Sequence, residues 1–183
     1  MARWVFEPGH SAAEFCVRHM MVTWVRGHFK NVRGTLEFDP EAPQKSSVEA
    51  FLDAPRIWTG EAQRDDHLRS PDFLDAERHP LITFKGNDVQ LGGPSEFTVT
   101  GDLTIRGVTH KAPLRVTYLG QWETPYWEDG VDKGPMARAG FTAQTILNRH
   151  DFGVSWQASL VRGGFVVGND VLVTIDVEAL WKG

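Results

Sequence analysis

Residues 97–122 read FTVTGDLTIRGVTHKAPLRVTYLGQW. Phe97, Val99, Gly101, Leu103 and Ile105 alternate with Thr98, Thr100, Asp102, Thr104 and Arg106. That period of two places successive side chains on opposite faces of a strand. Arg106-Gly107 marks a turn, after which Leu114, Val116 and Tyr118 continue the apolar face against Arg115 and Thr117. The segment is a β-hairpin with one buried and one wet face.

The same stripe recurs on either side. Upstream, Trp4, Val5 and Phe6 form a short strand closed by Pro8 and Gly9, and Phe15, Val17 and His19 share one face of the next. A strand follows over 25–32, where Gly27 suggests a bulge or bend, and Gly34, Leu36 and Phe38 carry one face further. Val48, Ala50, Leu52 and Ala54 stripe residues 47–57, and Ile82 and Phe84 precede a Gly92-Gly93-Pro94 turn. Downstream, 125–135 reads as a loop between two prolines, followed by Ala137, Ala139, Phe141, Ala143, Thr145 and Leu147 on one face. Val171, Val173, Ile175, Val177 and Ala179 stripe the last strand. About eight strands joined to their neighbours predict an all-β fold, an antiparallel barrel closed on itself. Gly101, Ala137, Ala139 and Ala143 facing inward favour a barrel with free interior space over one filled by facing Trp and Phe residues.

One segment breaks the pattern. Residues 58–80, WTGEAQRDDHLRSPDFLDAERHP, are dense in charge, and Thr59 suits a helix N-cap while Pro71 and Pro80 interrupt any long helix. Two short helical turns are expected, with Leu68, Phe73 and Leu74 on one apolar face. Such an insert caps one end of the barrel.

Composition narrows the functional classes. The chain of 183 residues fits one domain, and its net charge of -5, with no block of like charge, disfavours nonspecific attraction to nucleic acid or an anionic membrane. Cys16 is the only cysteine, which excludes an internal disulfide and a thiolate-rich zinc site. No segment has the roughly twenty apolar residues of a membrane helix, and residues 1–15 lack a secretory apolar run. The sequence as it stands reads as cytoplasmic, or periplasmic if a leader has been removed. None of the seven histidines has a metal-site spacing, Ser11 sits in no nucleophile elbow, and Asp65 and Asp66 as helix neighbours point about 100° apart.

Six segments taken together carry more information: GHSAAEFCVRHM (9–20), VRGHFKNVRGTLEFD (25–39), RDDHLRSPDFLDAERHPLITF (64–84), VTGDLTIRGVTH (99–110), LNRHDFG (147–153) and VVGNDVLVTIDVEAL (166–180). In this order the chain resembles the YceI-like family of lipocalin-like, polyisoprenoid-binding proteins. The resemblance implies a capped barrel around an elongated apolar cavity that holds a long-chain isoprenoid or other amphiphilic lipid, bound without a cofactor or catalysis. Strands of about ten residues reach roughly 33 Å, a length suited to such a chain.

For the cavity wall the striped faces nominate Phe15, Val17, Phe29, Leu36, Phe84, Phe97, Val99, Phe141, Leu147, Phe152 and Trp156, each of which also has a plain core reading. At the mouth, His19, Arg64, Asp65, His67 and Arg149 match family motif positions and would meet a polar head group. Alternatively, Arg64, Asp65 and Arg149 form an ion-pair network that pins the insert. Three functions stay open: an isoprenoid carrier, a carrier of a fatty acid or fatty amide, and an enzyme using His19, His67 and Arg149 on a bound lipid. A solid interaction barrel is the non-ligand alternative. A homodimer is compatible with the family and with seven tryptophans.

Overall fold

The computed structural model describes residues 1–183. It contains ten strands: β1 (Ala2–Phe6), β2 (Ala12–His19), β3 (Thr23–Lys30), β4 (Arg33–Phe38), β5 (Ser47–Asp53), β6 (Leu81–Leu91), β7 (Glu96–Ile105), β8 (Val108–Glu128), β9 (Val131–Asn148) and β10 (Val167–Trp181). One α-helix, α1 (Ala62–Arg69), lies between β5 and β6. All strands join a single antiparallel sheet in which β1 pairs with both β4 and β10, so the sheet closes into a barrel.

The ring has eight staves because two of them are broken. β1 and β2 lie end to end along β10, with Trp4 opposite Trp181 and Phe15 opposite Val173. β3 and β4 continue one another in the same way along β2 and β1. The first break follows from Pro8, which has no N–H for the ladder and starts a 3₁₀ turn, Pro8–His10. The second falls at Asn31, whose φ of 59° is left-handed. Val32, just after it, donates its N–H to Ser11 O across the two breaks. The remaining gap beside β3 is bridged by His28 and Trp58, which exchange backbone hydrogen bonds of 2.9 and 3.1 Å.

Three local expectations are corrected. Residues 125–135 are not a loop: β8 and β9 run on as a long hairpin that turns at Asp129-Gly130, both with positive φ, as a tight two-residue turn requires. Pro125 and Pro135 face each other within it. Gly27 marks no bulge, because the β2–β3 register is continuous there; its missing side chain admits the Phe15 ring, 2.5 Å from where a Cβ would sit. Gly101 leaves no void either. A Cβ there would lie 2.4 Å from Lys85 O and 2.6 Å from the Phe84 ring, so β6 occupies that space.

The insert covers one end, as its apolar residues predict, but its local form differs. It has one helix followed by non-helical turns, and Thr59 is not the N-cap, a position held by Glu61 without a side-chain bond. Instead the Thr59 N–H and hydroxyl both donate to the Asp65 carboxylate. Two arginines latch the cap by donating to carbonyls: Arg69 to Pro55 O and Ile57 O, and Arg106 to Phe73 O and Gly153 O at 3.0 and 2.9 Å. Apolar packing is divided between the ends. Ile57, Phe73, Ile82, Phe152 and Val154 cluster under the cap, and Trp4, Phe6, Phe38, Phe97 and Phe141 at the far end.

Gly101→Ala is expected to cost about 1–3 kcal/mol, since a backbone carbonyl stands where the methyl must go. Urea unfolding checks this as a lower midpoint at unchanged slope. Arg106→Ala is expected to speed amide exchange in residues 70–78 while strand amides keep their protection, measurable by hydrogen–deuterium exchange.

Candidate functional site: an apolar cavity under a polar cap

The barrel interior holds a cavity of about 300 Å³. One water-sized group needs roughly 10–15 Å³ of such space, so the cavity takes on the order of twenty such groups. Of its 39 lining residues 34 are hydrophobic, and the rest are Glu14, Pro43, Ser46, Thr145 and Arg149. A site with so few polar groups selects for hydrocarbon. It runs from Leu68, Phe73 and Leu74 beneath the cap to Pro43 and Ser46 at the opposite end. The inward valines of β10 (Val171, Val173 and Val177) are only half-buried although they point into the barrel. They border open space rather than packed neighbours.

Phe15, Val17, Phe29, Leu36, Phe84, Phe97, Val99, Phe141, Leu147 and Phe152 line this cavity. Trp156 does not: it stacks on His67 and Phe73, with ring centroids 5.0 and 5.4 Å apart, as part of the cap's support. Among the small inward residues Ala143 borders the space, whereas Ala139 is packed into the far-end cluster. The stripe of β10 signals wall residues as clearly as the nominated ones, and the sequence nomination passed over it. Leu68 and Leu74 were legible only as a helical face.

The polar positions do not form one constellation. Arg149, 5% exposed, follows β9 in a 3₁₀ turn, Arg149–Phe152. It donates Nε–H to Gly168 O (2.8 Å), Nη1–H to Val154 O and Trp156 O (2.7 and 2.9 Å), and Nη2–H to Val167 O (3.3 Å). No carboxylate lies within ion-pair distance of it, and burial pulls its pKa below the ordinary arginine value. Arg64 sits on the outer side of the cap and donates to Thr59 Oγ1 and Thr59 O. Asp65, 3% exposed, serves the same threonine. His67 bonds Asp72 at 2.8 Å, and His19 ends β2 opposite Thr23 and Val167. The expected Arg64–Asp65–Arg149 ion-pair network is therefore absent, because carbonyls and a threonine take the place of opposite charges. Of the five, Arg149 alone lines the cavity.

A model of the YceI-like domain matches residues 4–179. A UPF0312 protein of Pseudomonas putida is 32% identical over 148 residues, covering 81% of this chain and 73% of its own. One from Pseudomonas savastanoi pv. phaseolicola is 34% identical with the same coverage. Among solved structures, the Campylobacter jejuni YceI protein superposes with a TM-score of 0.71 at 26% identity, covering 90% of both chains. Burkholderia cenocepacia BcnA superposes at 0.74 with 21% identity, over 92% of this chain and 95% of its own. A Saccharophagus degradans domain described as polyisoprenoid-binding superposes at 0.64 with 13% identity, over all of both chains. With the match running from β1 into β10, the chain belongs to the YceI-like domain family.

Proposed function

We propose that the barrel binds and carries one long-chain isoprenoid lipid, a polyprenyl lipid or isoprenoid quinone, without transforming it. The observation that carries this reading is the near-unbroken apolar wall along the length of the barrel. The Saccharophagus degradans neighbour, described as polyisoprenoid-binding, supports it at the level of shared fold. Each buried methylene is worth about 0.8 kcal/mol, so ten supply roughly 8 kcal/mol, while micromolar affinity needs about 8 kcal/mol net of association costs. A chain that fills the cavity with about twenty groups leaves a surplus; a short one does not.

Arg149 is the place for a polar end. Four of its five N–H bonds are spent on carbonyls, one Nη2 hydrogen is left, and no carboxylate balances its charge. A phosphate or quinone oxygen would accept that last bond and offset a buried cation. A fatty carboxylate would do the same, which makes a fatty acid carrier the second reading. An enzyme using His19, His67 and Arg149 gains no support from their placement, since His67 stacks against Trp156 outside the cavity lining.

Native mass spectrometry of protein purified from its host, followed by organic extraction, is expected to reveal one isoprenoid per chain. A bare-chain mass that added polyprenyl lipids leave unchanged would sink the carrier reading. Ala143→Phe should fill the cavity and weaken polyprenyl binding by about tenfold or more without loss of stability, as read by ligand titration and thermal melting. Arg149→Met should cost about 3 kcal/mol because it strips four carbonyls of their donors, and Arg149→Lys somewhat less. In both variants affinity for a polyprenyl phosphate should fall further than affinity for the matching hydrocarbon; equal losses would remove Arg149 from the head-group role.

A further inference from the structure

The cavity is closed differently at its two ends. Under the cap it ends on a short helix, on turns and on the Arg149 guanidinium; at the far end it stops on aromatic rings. Phe38, Tyr118 and Phe141 form a triangle with ring centroids 4.9, 5.1 and 5.3 Å apart, and Phe97 joins Phe38 edge-on at 6.3 Å. Phe38 meets Phe141 at 88°, the arrangement in which the positive rim of one ring faces the negative face of the other. Phe38, Phe97 and Phe141 border the cavity, whereas Tyr118 does not.

The space behind these rings is filled. Trp4 is 3% exposed, Ala139 1% and Ala179 0%, and none of the three borders the cavity. Trp4 donates its indole N–H to Phe38 O at 3.2 Å, and Ala139 pairs with Ala179 across β9 and β10. The 3₁₀ turn Pro43–Lys45 completes the floor through Pro43 and the adjoining Ser46, whose hydroxyl oxygen is itself inaccessible. Val177, the cross-strand partner of Phe141, faces the cavity and is only half-buried.

A hydrocarbon chain lying along the barrel gains affinity with each unit that stays inside, since each buried group leaves water. That gain ends where the tail meets a layer already packed at the density of a protein interior, because a further unit must displace rings or remain outside. We propose that the aromatic layer centred on Phe38 sets the longest chain the barrel takes in, with the tail of the lipid against these rings and its polar end toward the cap. The nature of the ligand rests on the carrier reading; the floor adds which residues select among chains of different length. A cavity for about twenty water-sized groups encloses about four isoprene units, at about five carbon groups a unit.

The test loads the protein in detergent from one equimolar mixture of prenyl phosphates graded in chain length, and from a second of saturated alkyl phosphates. Native mass spectrometry reads the bound species. Every variant meets the same mixtures, so differences in solubility among the chains cancel between variants. Phe38→Ala removes a net of about six carbons and is expected to raise the longest bound chain by about one isoprene unit. Phe38→Leu keeps the layer fuller and should shift the distribution the same way by less. Val177→Phe adds a ring where the wall borders open space and should lower the limit by about one unit. Thermal melts identify a variant that fails to fold; if Phe38→Ala does, the other two carry the test. The proposal is overturned if folded variants bind the same distribution as the wild type, or if Phe38→Leu and Val177→Phe move it in the same direction. A limit that moves as expected among alkyl phosphates, with no prenyl phosphate bound, leaves the floor standing and removes the isoprenoid. Prenyl phosphates bound with an unmoved limit remove the floor alone, and no chain bound at all removes both.

Discussion

Closure of the barrel rests on β10, which hydrogen-bonds along one edge to two strands in series, β2 over its first part and β1 at its end. Its other edge pairs with β9 over eleven consecutive positions, Asp170 to Leu180. Without that double pairing the sheet would keep two open edges, and an apolar face lined by phenylalanine and valine would be exposed to water and to other chains. With it, the hydrogen-bonding demand of the backbone is met around the ring except beside β3, where only His28 and Trp58 bridge the gap. The interior side chains need only exclude water; they need not fill the space.

How polar groups are used follows from this. Deep in the apolar end, ion pairs would require two charges to be desolvated together, and Arg149 instead spends its donors on four carbonyls left free by irregular backbone. Arg69 and Arg106 do the same for the cap. The closing element is thus tied by directional bonds to main-chain oxygens, and its few apolar residues, Leu68, Phe73 and Leu74, are free to form the ceiling of the cavity. The wall is continuous sheet, whereas the cap is one short helix and turns held by hydrogen bonds.

The period-two stripe was enough to find the barrel and most of its wall, because an inward residue on a closed sheet has nowhere else to point. Phe97 and Val99, chosen from alternation alone, face the space. Features set by long-range backbone geometry were not legible. Gly101 resembles a space-maker in sequence, but only the approach of Lys85 O shows that it is a close-contact residue. Arg149 resembles an ion-pair partner, but its acceptors are carbonyls, which no residue type announces. The prolines at 125 and 135 suggested a loop, and the Asp129-Gly130 turn between them, which continues the hairpin, went unread. The breaks at Pro8 and Asn31 split two staves and raised the strand count from eight to ten without changing the ring. Trp156 carried an apolar signal for a different purpose, supporting His67 from outside the cavity.

The pairing of β1 with β10 also bears on synthesis. Seven staves can zip to their neighbours as they leave the ribosome, most of them through short hairpin loops and β6 onto β5 after the cap insert between Asp53 and Leu81. The seam joins Trp4 to Trp181, almost the full length of the chain, and must wait for the final strand to emerge. Until then the chain is an open, curved sheet with an apolar concave face and two unsatisfied borders, the kind of species that aggregates or recruits a chaperone. The most hazardous moment for this domain therefore comes before β10 has emerged and docked, and substitutions that slow that docking would reduce yield even where the finished barrel is no less stable.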